Sequence, residues 1–325
     1  MSRVSENSSV HSINYAVGKT KSKVEDLQMK GSTLKRVSKP SDDPIGNVEL
    51  LAIRSQNIDA GQYLRNVNFA GTQLSYTENV LEELTDLLTK AKELAIGQAS
   101  SIYSPEIREG VSKEIHQLRN QALSLANKRM GNRYIFSGQK VLTRPFDQEG
   151  NYFGDKNKIQ IEINKDVFVP INVNGAELFY SSAKKPLSKE DLQLLPAPTM
   201  DRGPASEVSQ EEGHESSIFD ELYALENALL TDSPEVIQSL LERLDSSIDR
   251  VVSFRTKIGA LTNTVANAES NIEKTKLLNE SHKSKIEDAD VAELFSALQK
   301  EQNVLKATYQ ASSNLMNTNL MDFLR

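Results

Sequence analysis

The 325-residue sequence has no cysteine and no tryptophan, and only 6% of it is aromatic. Without cysteine there can be no disulfide, no thiolate metal site and no cysteine nucleophile. The same absence suits a chain that must stay uncrosslinked during export. No run approaches the roughly 18 apolar residues of a membrane span, so membrane insertion is not expected. The first residues, MSRVSENSSVHSINYAVGK, carry no apolar core and no cleavage signature. They do not read as a secretory signal peptide. Basic residues are also in deficit, 38 against 45 acidic, giving a net charge of −7. Nucleic-acid binding, which needs a concentrated basic footprint, has no support. Apolar residues make up 38% of the chain. Counted with glycine and without tyrosine the share is about 40%, below the usual roughly 45–50%. A thin-cored helical protein has this composition, and a compact enzyme of this length would bury more.

What is present is helical periodicity at both ends. Residues 1–38 hold Val4, Ile13, Val17, Val24, Leu27 and Leu34 in a polar setting, a weak helix that nucleates poorly alone. Pro40 interrupts it. Asp43 then reads as the cap of a helix whose first position is Pro44, where a missing N–H costs nothing. From Val48 to about Gln98, Leu74, Leu81, Leu88 and Ala95 recur every seven residues, with Leu84 and Ala91 beside them. Val80, Leu87 and Leu94 form a parallel stripe. A seam this wide fits a bundle better than a two-stranded coil. Gly97 and the serines after it break the helix, and Pro105 opens another through Val111, Ile115, Leu118, Ala122 and Leu125. A further start at Asp232-Ser233-Pro234 leads into Ile237, Leu241, Leu244, Ile248 and Val251, then Leu261, Val265, Ala268 and Ile272. The closing segment from Val291 carries Leu294, Leu298 and Leu305, interrupted by Glu301, Gln302 and Ser312, and matches the weak first helix in character.

Between the helical halves the period changes to that of strands. Arg133 to Gly138, the alternating Lys158 to Ile163, and Val167 to Val173 followed by Asn174-Gly175 read as a small β region. Residues 181–217, rich in Ser, Pro, Lys and Glu, read as an exposed excursion or linker. The expected fold class is mainly α. It is an elongated helical rod formed by the N- and C-terminal segments, packed as a coiled coil or bundle, with a small β-rich inserted domain. The expected divisions are 1–40 with 285–325 as terminal helices, 41–132 with 218–284 as the rod, and 133–217 as the β-rich outer domain.

Chemistry is poorly represented. His214-Glu215 opens an HExxH pattern, but position 218 is Ile and the second zinc ligand is missing. His214 does sit among Glu211, Glu212 and Glu215. The histidines His11, His116 and His282 have no companion ligand nearby in sequence. Asp42-Asp43 is a compact carboxylate pair, yet its place beside two prolines at a helix start makes capping the better reading than acid–base work. Glycine-rich phosphate loops and nucleophile elbows are absent from the sequence. No catalytic, cofactor-binding or metal residue is assigned, and no cofactor is expected.

The segment Lys35-Arg36-Val37-Ser38-Lys39-Pro40-Ser41-Asp42-Asp43-Pro44 resembles the part of bacterial flagellins and hook-associated proteins that joins their terminal helix to the first rod helix. Leu81 to Ala95 resembles the flagellin stretch that follows. More selective is Arg133-Tyr134-Ile135-Phe136-Ser137-Gly138 with Pro145-Phe146-Asp147. This pair is similar to the signature of the hook–filament junction branch of the flagellin-like family, the third hook-associated proteins. Ile286 to Glu293 and the terminal Met321 to Arg325 are similar to the family's closing helix. The family turn falls on Ser41, Asp42, Asp43 and Pro44. The junction signature falls on Arg133, Tyr134, Ile135, Phe136, Gly138, Pro145, Phe146 and Asp147. Residues 181–217 resemble nothing placed.

This resemblance implies a structural protein of the bacterial flagellum, not an enzyme. It implies export through the flagellar type III channel on an uncleaved signal, and an extracellular location in the flagellum. It implies terminal helices that are disordered in the monomer and pair on assembly. The implied partners are further copies in a ring, a neighbouring hook-associated protein, filament flagellin and a flagellar export chaperone. Val4, Ile13, Val17, Leu294, Leu298, Leu305 and Leu315 are the candidates for the inter-subunit seam, the alternative being that some only pair the two ends within one chain. A filament flagellin is the rival reading. An enzyme or metal-binding domain displayed on the scaffold through residues 181–217 is a more distant one.

Overall fold

The computed structural model describes residues 3–99, 105–181 and 216–323, with side chains from 11 to 313. Seven helices run through these residues: α1 (Arg3–Thr33), α2 (Pro44–Gln98), α3 (Pro105–Ala126), α4 (Gly175–Phe179), α5 (Ile218–Leu230), α6 (Pro234–Glu287) and α7 (Val291–Phe323). Four short strands form two antiparallel pairs. β1 (Arg129–Met130) pairs with β2 (Arg133–Tyr134), and β3 (Gln160–Asn164) pairs with β4 (Val167–Pro170). The class is therefore mainly α with a small β-bearing insert, as the periodicity predicts.

Two compact units divide the chain: residues 1–61 with 273–325, and residues 62–272. Both long helices, α2 and α6, pass from one unit to the other, so the cut falls inside helices. The sequence places its divisions near 40 and 285, where the helices stop.

In the first unit α1 packs on α7. Ile13, Val17, Thr20, Val24, Leu27 and Gly31 fall at spacings of four and three on the covered face of α1, yet only Val24 is fully buried. On α7 the matching set is Leu294, Leu298, Glu301, Leu305 and Thr308, of which only Leu294 is fully buried. Lys23 Nζ reaches Glu301 at 3.5 Å across the pair. Two helices alone cover such stripes on one side only, so most of their apolar residues remain half-buried.

The second unit has a proper core. Leu74, Leu81, Leu84, Leu88, Ala91 and Ala95 of α2 are buried, as are Ile115, Leu118, Ala122 and Leu125 of α3. From α6 the core takes Ile237, Leu240, Leu244, Val251, Ile258 and Val265. Eight of the 13 residues of α5 are buried, and α5 packs on α3. Ser217 caps α5 reciprocally with Asp220, a capping box. Arg108, 2% exposed, pairs with Asp232, whose φ of 56° belongs to the tight α5–α6 turn. That ion pair fixes the turn against the start of α3.

The insert departs from the expected strands at two places. The run from Arg133 to Gly138 is extended only over two residues, because Ile135, Phe136 and Ser137 turn inward and are fully covered. Asn174-Gly175 does not close a strand. Asn174 Oδ1 accepts from Ala176 N at 3.0 Å and caps the single-turn helix α4. The β3–β4 hairpin overlaps the predicted runs, β3 reaching past Ile163 to Asn164, with Asp166 (φ 61°) in its turn. No helix among the described residues is long and apolar enough to cross a membrane.

Candidate assembly surfaces

The family turn and the start of the closing helix, 250 residues apart in sequence, meet in the first unit. Helix α1 ends where Leu34 takes a φ of 54°. The chain then runs beside the α6–α7 joint. Arg36 N donates to Glu287 O at 2.7 Å, Ala289 N donates to Leu34 O at 3.0 Å, and Arg36 Nη2 donates to Ile286 O at 3.0 Å. Glu287 itself is 2% exposed. Its Oε1 accepts from Lys35 Nζ at 2.7 Å and from Arg54 Nη2 at 2.9 Å. Burial raises the carboxyl's pKa, but the Lys35 hydrogen bond and the Lys35 and Arg54 charges outweigh it and hold the group below its ordinary range. One carboxylate thus ties the segment after α1, helix α2 and the α6–α7 joint together.

The two aspartates of the turn do different work. Asp42 Oδ2 accepts from the backbone N–H of Lys39 and Ser38, each at 3.0 Å, and these bonds depress its pKa. Asp43 caps α2: its Oδ1 accepts from Gly46 N at 2.9 Å, and its carbonyl from Asn47 N at 2.9 Å. Ser41 and Pro44 are exposed. Gly46 is needed here. A Cβ at that position would lie 2.6 Å from Asp43 Oδ2 and 3.0 Å from Ile286 Cγ2. Asp290 caps α7 in the same manner, its Oδ1 accepting from Ala292 N at 2.8 Å and Glu293 N at 3.2 Å. Capping is therefore the role of Asp43, while Asp42 holds the turn that precedes the helix.

The junction signature lies mostly inside the protein. Tyr134, Ile135, Phe136, Pro145 and Phe146 are buried, while Arg133 is exposed. Phe146 meets Phe179 at 4.9 Å, Phe219 at 5.4 Å and Tyr152 at 5.2 Å between ring centroids. Phe136 packs edge-on against Phe179 at 5.5 Å. Phe219 belongs to α5, so this cluster attaches the insert to the helical core. Gly138 has a φ of 71°, and a Cβ there would strike Asp155 Oδ1 at 2.1 Å. Asp147 closes its own turn, accepting from Glu149 N and Asn151 N at 2.9 and 2.8 Å.

Of the seam candidates, Leu294 is buried within the α1–α7 pair, and Ile13, Val17, Leu298 and Leu305 are half-covered there. The structure thus brings these five together within a single chain. The side chains of Val4 and Leu315 lie outside the described residues, as do His214, Glu211, Glu212 and Glu215. His116 sits 3.1 Å from Glu226, and His282 lies 3.4 Å from Glu49, both near the surface. Among the described residues no three His, Asp or Glu side chains gather as a metal site requires.

Sequence reasoning missed two charged groups. Glu287 was visible as part of the closing-helix motif, but its partners Lys35 and Arg54 are remote in sequence. Glu221, 4% exposed on α5, accepts from Ser247 Oγ at 2.6 Å, and Ser247 Oγ accepts from Arg250 Nη2 at 2.9 Å. Burial pushes Glu221 up to about 7, against the opposing pull of Ser247 and Arg250. Nothing in its local pattern separates it from the exposed glutamates of other helices.

Two family models fall on the two helical ends. Residues 4–141 match the bacterial flagellin N-terminal helical region, and residues 241–324 match the bacterial flagellin C-terminal helical region. Together they take in well over half of the sequence. The chain belongs to the flagellin-like family. Flagellar hook-associated protein 3 of Escherichia coli (strain K12) is 27% identical over 298 residues, 89% of this chain and 89% of that protein. Its namesake in Salmonella typhimurium (strain LT2) is 24% identical over 303 residues, 90% of each. Among solved structures, flagellar hook-associated protein-3 from Legionella pneumophila superposes with a TM-score of 0.59 at 18% identity, over 72% of this chain and 98% of that one. That likeness establishes the shared fold. A flagellin-like chain of this kind associates with other components of the bacterial flagellum.

Proposed function

We propose that this protein is the structural adaptor between the flagellar hook and the filament, forming a ring of identical subunits. The observation that carries this reading is full-length similarity to two proteins named flagellar hook-associated protein 3, each matched over about nine-tenths of its length. The buried junction signature adds support, since Phe136, Phe146 and their partners build the insert that sets this chain apart from a helical rod alone.

The mechanism is polymerisation by helix packing, with no bond made or broken. The terminal segments 1–40 and 285–325 order when subunits assemble. Residues 41–132 with 218–284 carry axial contacts, and 133–217 face outward. The half-covered stripe of Ile13, Val17, Leu298 and Leu305 supports this division. Full burial of an aliphatic side chain contributes about 1.5–3 kcal/mol, so each half-covered residue retains roughly half of that for a neighbouring chain. Leu315 extends the α7 stripe in sequence. The protein reaches its site unfolded through the type III channel on an uncleaved N-terminal signal, accompanied by an export chaperone. It then contacts a neighbouring hook-associated protein on one side and flagellin on the other.

Filament flagellin is the second reading, favoured by the matches to both flagellin helical regions. Electron microscopy of a deletion strain, with flagellin assayed in the medium, separates the two. Bare hooks with flagellin shed to the medium are expected. Filaments that persist, altered or shortened, would overturn the adaptor reading in favour of flagellin.

A further inference from the structure

The β1–β2 hairpin and the turn after it carry four exposed basic residues close together in sequence. Arg129 and Arg133 stand in the paired strands β1 and β2. Tyr134 N donates to Val141 O at 2.8 Å, which brings Lys140 alongside. Arg144 and Arg129 line one shallow cleft of about 410 Å³ with Tyr134 and Asn127. All four basic side chains are exposed. The Arg129 guanidinium lies over the Tyr134 ring, 4.2 Å from its centroid, which holds it in place without neutralising it.

No ion pair among the described residues reaches any of the four. Two acids of the adjoining segments have other partners. Glu83 lies 3.7 Å from Lys128, and the Asp147 carboxylate accepts from its own turn. The collar runs against the chain's overall balance, a net charge of −7.

A complementary surface exists on the same unit. Glu235, Glu242 and Asp249 recur every seven residues on α6 and form one exposed stripe. No ion pair among the described residues reaches them either. A closed ring of identical subunits uses a heterologous contact, in which two different patches of the same chain meet. One patch of each sign is what such a contact needs, and complementary charge fixes register and excludes wrong partners.

We propose that the basic collar of Arg129, Arg133, Lys140 and Arg144 docks on the acidic α6 stripe of a second copy of this chain. The inference rests on the ring reading above. It assigns the collar to neither the hook side nor the filament side.

The absence of native cysteine makes the test direct. The full-length Arg133→Cys, Glu242→Cys double variant is produced in a deletion strain, and its isolated hook–filament preparations are treated with a short bis-maleimide. Covalent multimers of this chain are expected from the double variant and not from either single variant. Monomers alone, in a preparation that contains the chain, overturn the proposal, and so does a crosslink to a different protein. If the chain were missing from the preparation, the adaptor reading would fall and this inference with it, a result distinct from monomers in place.

Charge reversal supplies a second readout. Arg133→Glu with Arg144→Glu, or Glu235→Lys with Glu242→Lys, is expected to raise flagellin shed to the medium at least fivefold. Combining all four reversals is expected to bring it back within twofold of the wild type. Reversals that shed no more flagellin than the wild type, in a background where deletion does shed it, overturn the proposal.

Discussion

The two units of this chain use the same heptad grammar and reach opposite states of burial. In residues 62–272, stripes on α2, α3, α5 and α6 meet around a common centre, and residues such as Leu81, Leu84, Ile115 and Leu244 lose all contact with solvent. In residues 1–61 with 273–325, α1 and α7 carry stripes of equal regularity but have only each other, and one residue on each is fully buried. Periodicity says which side of a helix is apolar. The number of neighbours decides how much of that side is covered. The first unit compensates at its joint, where Glu287, Lys35 and Arg54 and a set of backbone hydrogen bonds supply what packing does not.

The sharpest way to break the comparison is to remove residues 291–325. Assembly is expected to be lost altogether, with flagellin shed as in a deletion strain, while the thermal unfolding of the second unit stays where it was. A shortened protein that still joined hook to filament would sink the view that the thin unit exists for assembly.

Next in size is Phe179→Ala. Phe179 is fully buried and stacks on Phe219 at 5.3 Å while touching Phe136 and Phe146. The second unit should lose about 3–5 kcal/mol in denaturant unfolding, in line with other buried Phe truncations. A loss below about 1 kcal/mol would mean the aromatic cluster is not what anchors the insert.

A smaller effect concerns Glu221. Its folded pKa, near 7, lies above the unfolded value of about 4.3. Its contribution is therefore full below pH 4.3 and is lost as pH rises through 7. The second unit should weaken by roughly 1.4 kcal/mol between pH 6 and 9, and Glu221→Gln should flatten that dependence. A wild-type protein equally stable at both pH values would refute this.

The smallest effect belongs to the first unit's joint. Glu287 has a depressed folded pKa, so its contribution is present above about pH 4.3 and is lost as pH falls through the folded value. Lys35 and Arg54 are about half exposed, 45% and 51%, and solvent screens the triad. Glu287→Gln should therefore cost about 1 kcal/mol at pH 7, and less in acid. Amide exchange along residues 34–37 should report it, and unchanged protection there would show that the backbone bonds suffice alone.

Helices α2, α3 and α6 were legible because their stripes are wide and because prolines at 44, 105 and 234 each begin one of them. The Asp43 cap was legible for the same reason, since capping is a matter of adjacent residues. The β region was legible only as extended, apolar and short. Phe136 and Phe146 read as a family signature, and nothing in their spacing shows that their rings close on Phe179 and Phe219 and so hold the insert down.

By itself the sequence determined the helical class, the places where helices start and stop, and the polar character of the two ends. Those properties depend on periodicity, proline and short side chains acting over a few residues. Only the tertiary structure decided that α1 and α7 pair within one chain, that Glu287 is gripped by Lys35 and Arg54, that Glu221 is buried, and that four basic residues gather at the β1–β2 hairpin. The first three depend on segments brought together from far along the chain, and no local pattern encodes which distant partner a side chain will meet; the basic residues are neighbours in sequence, and what the structure adds is the hairpin and turn that draw them together.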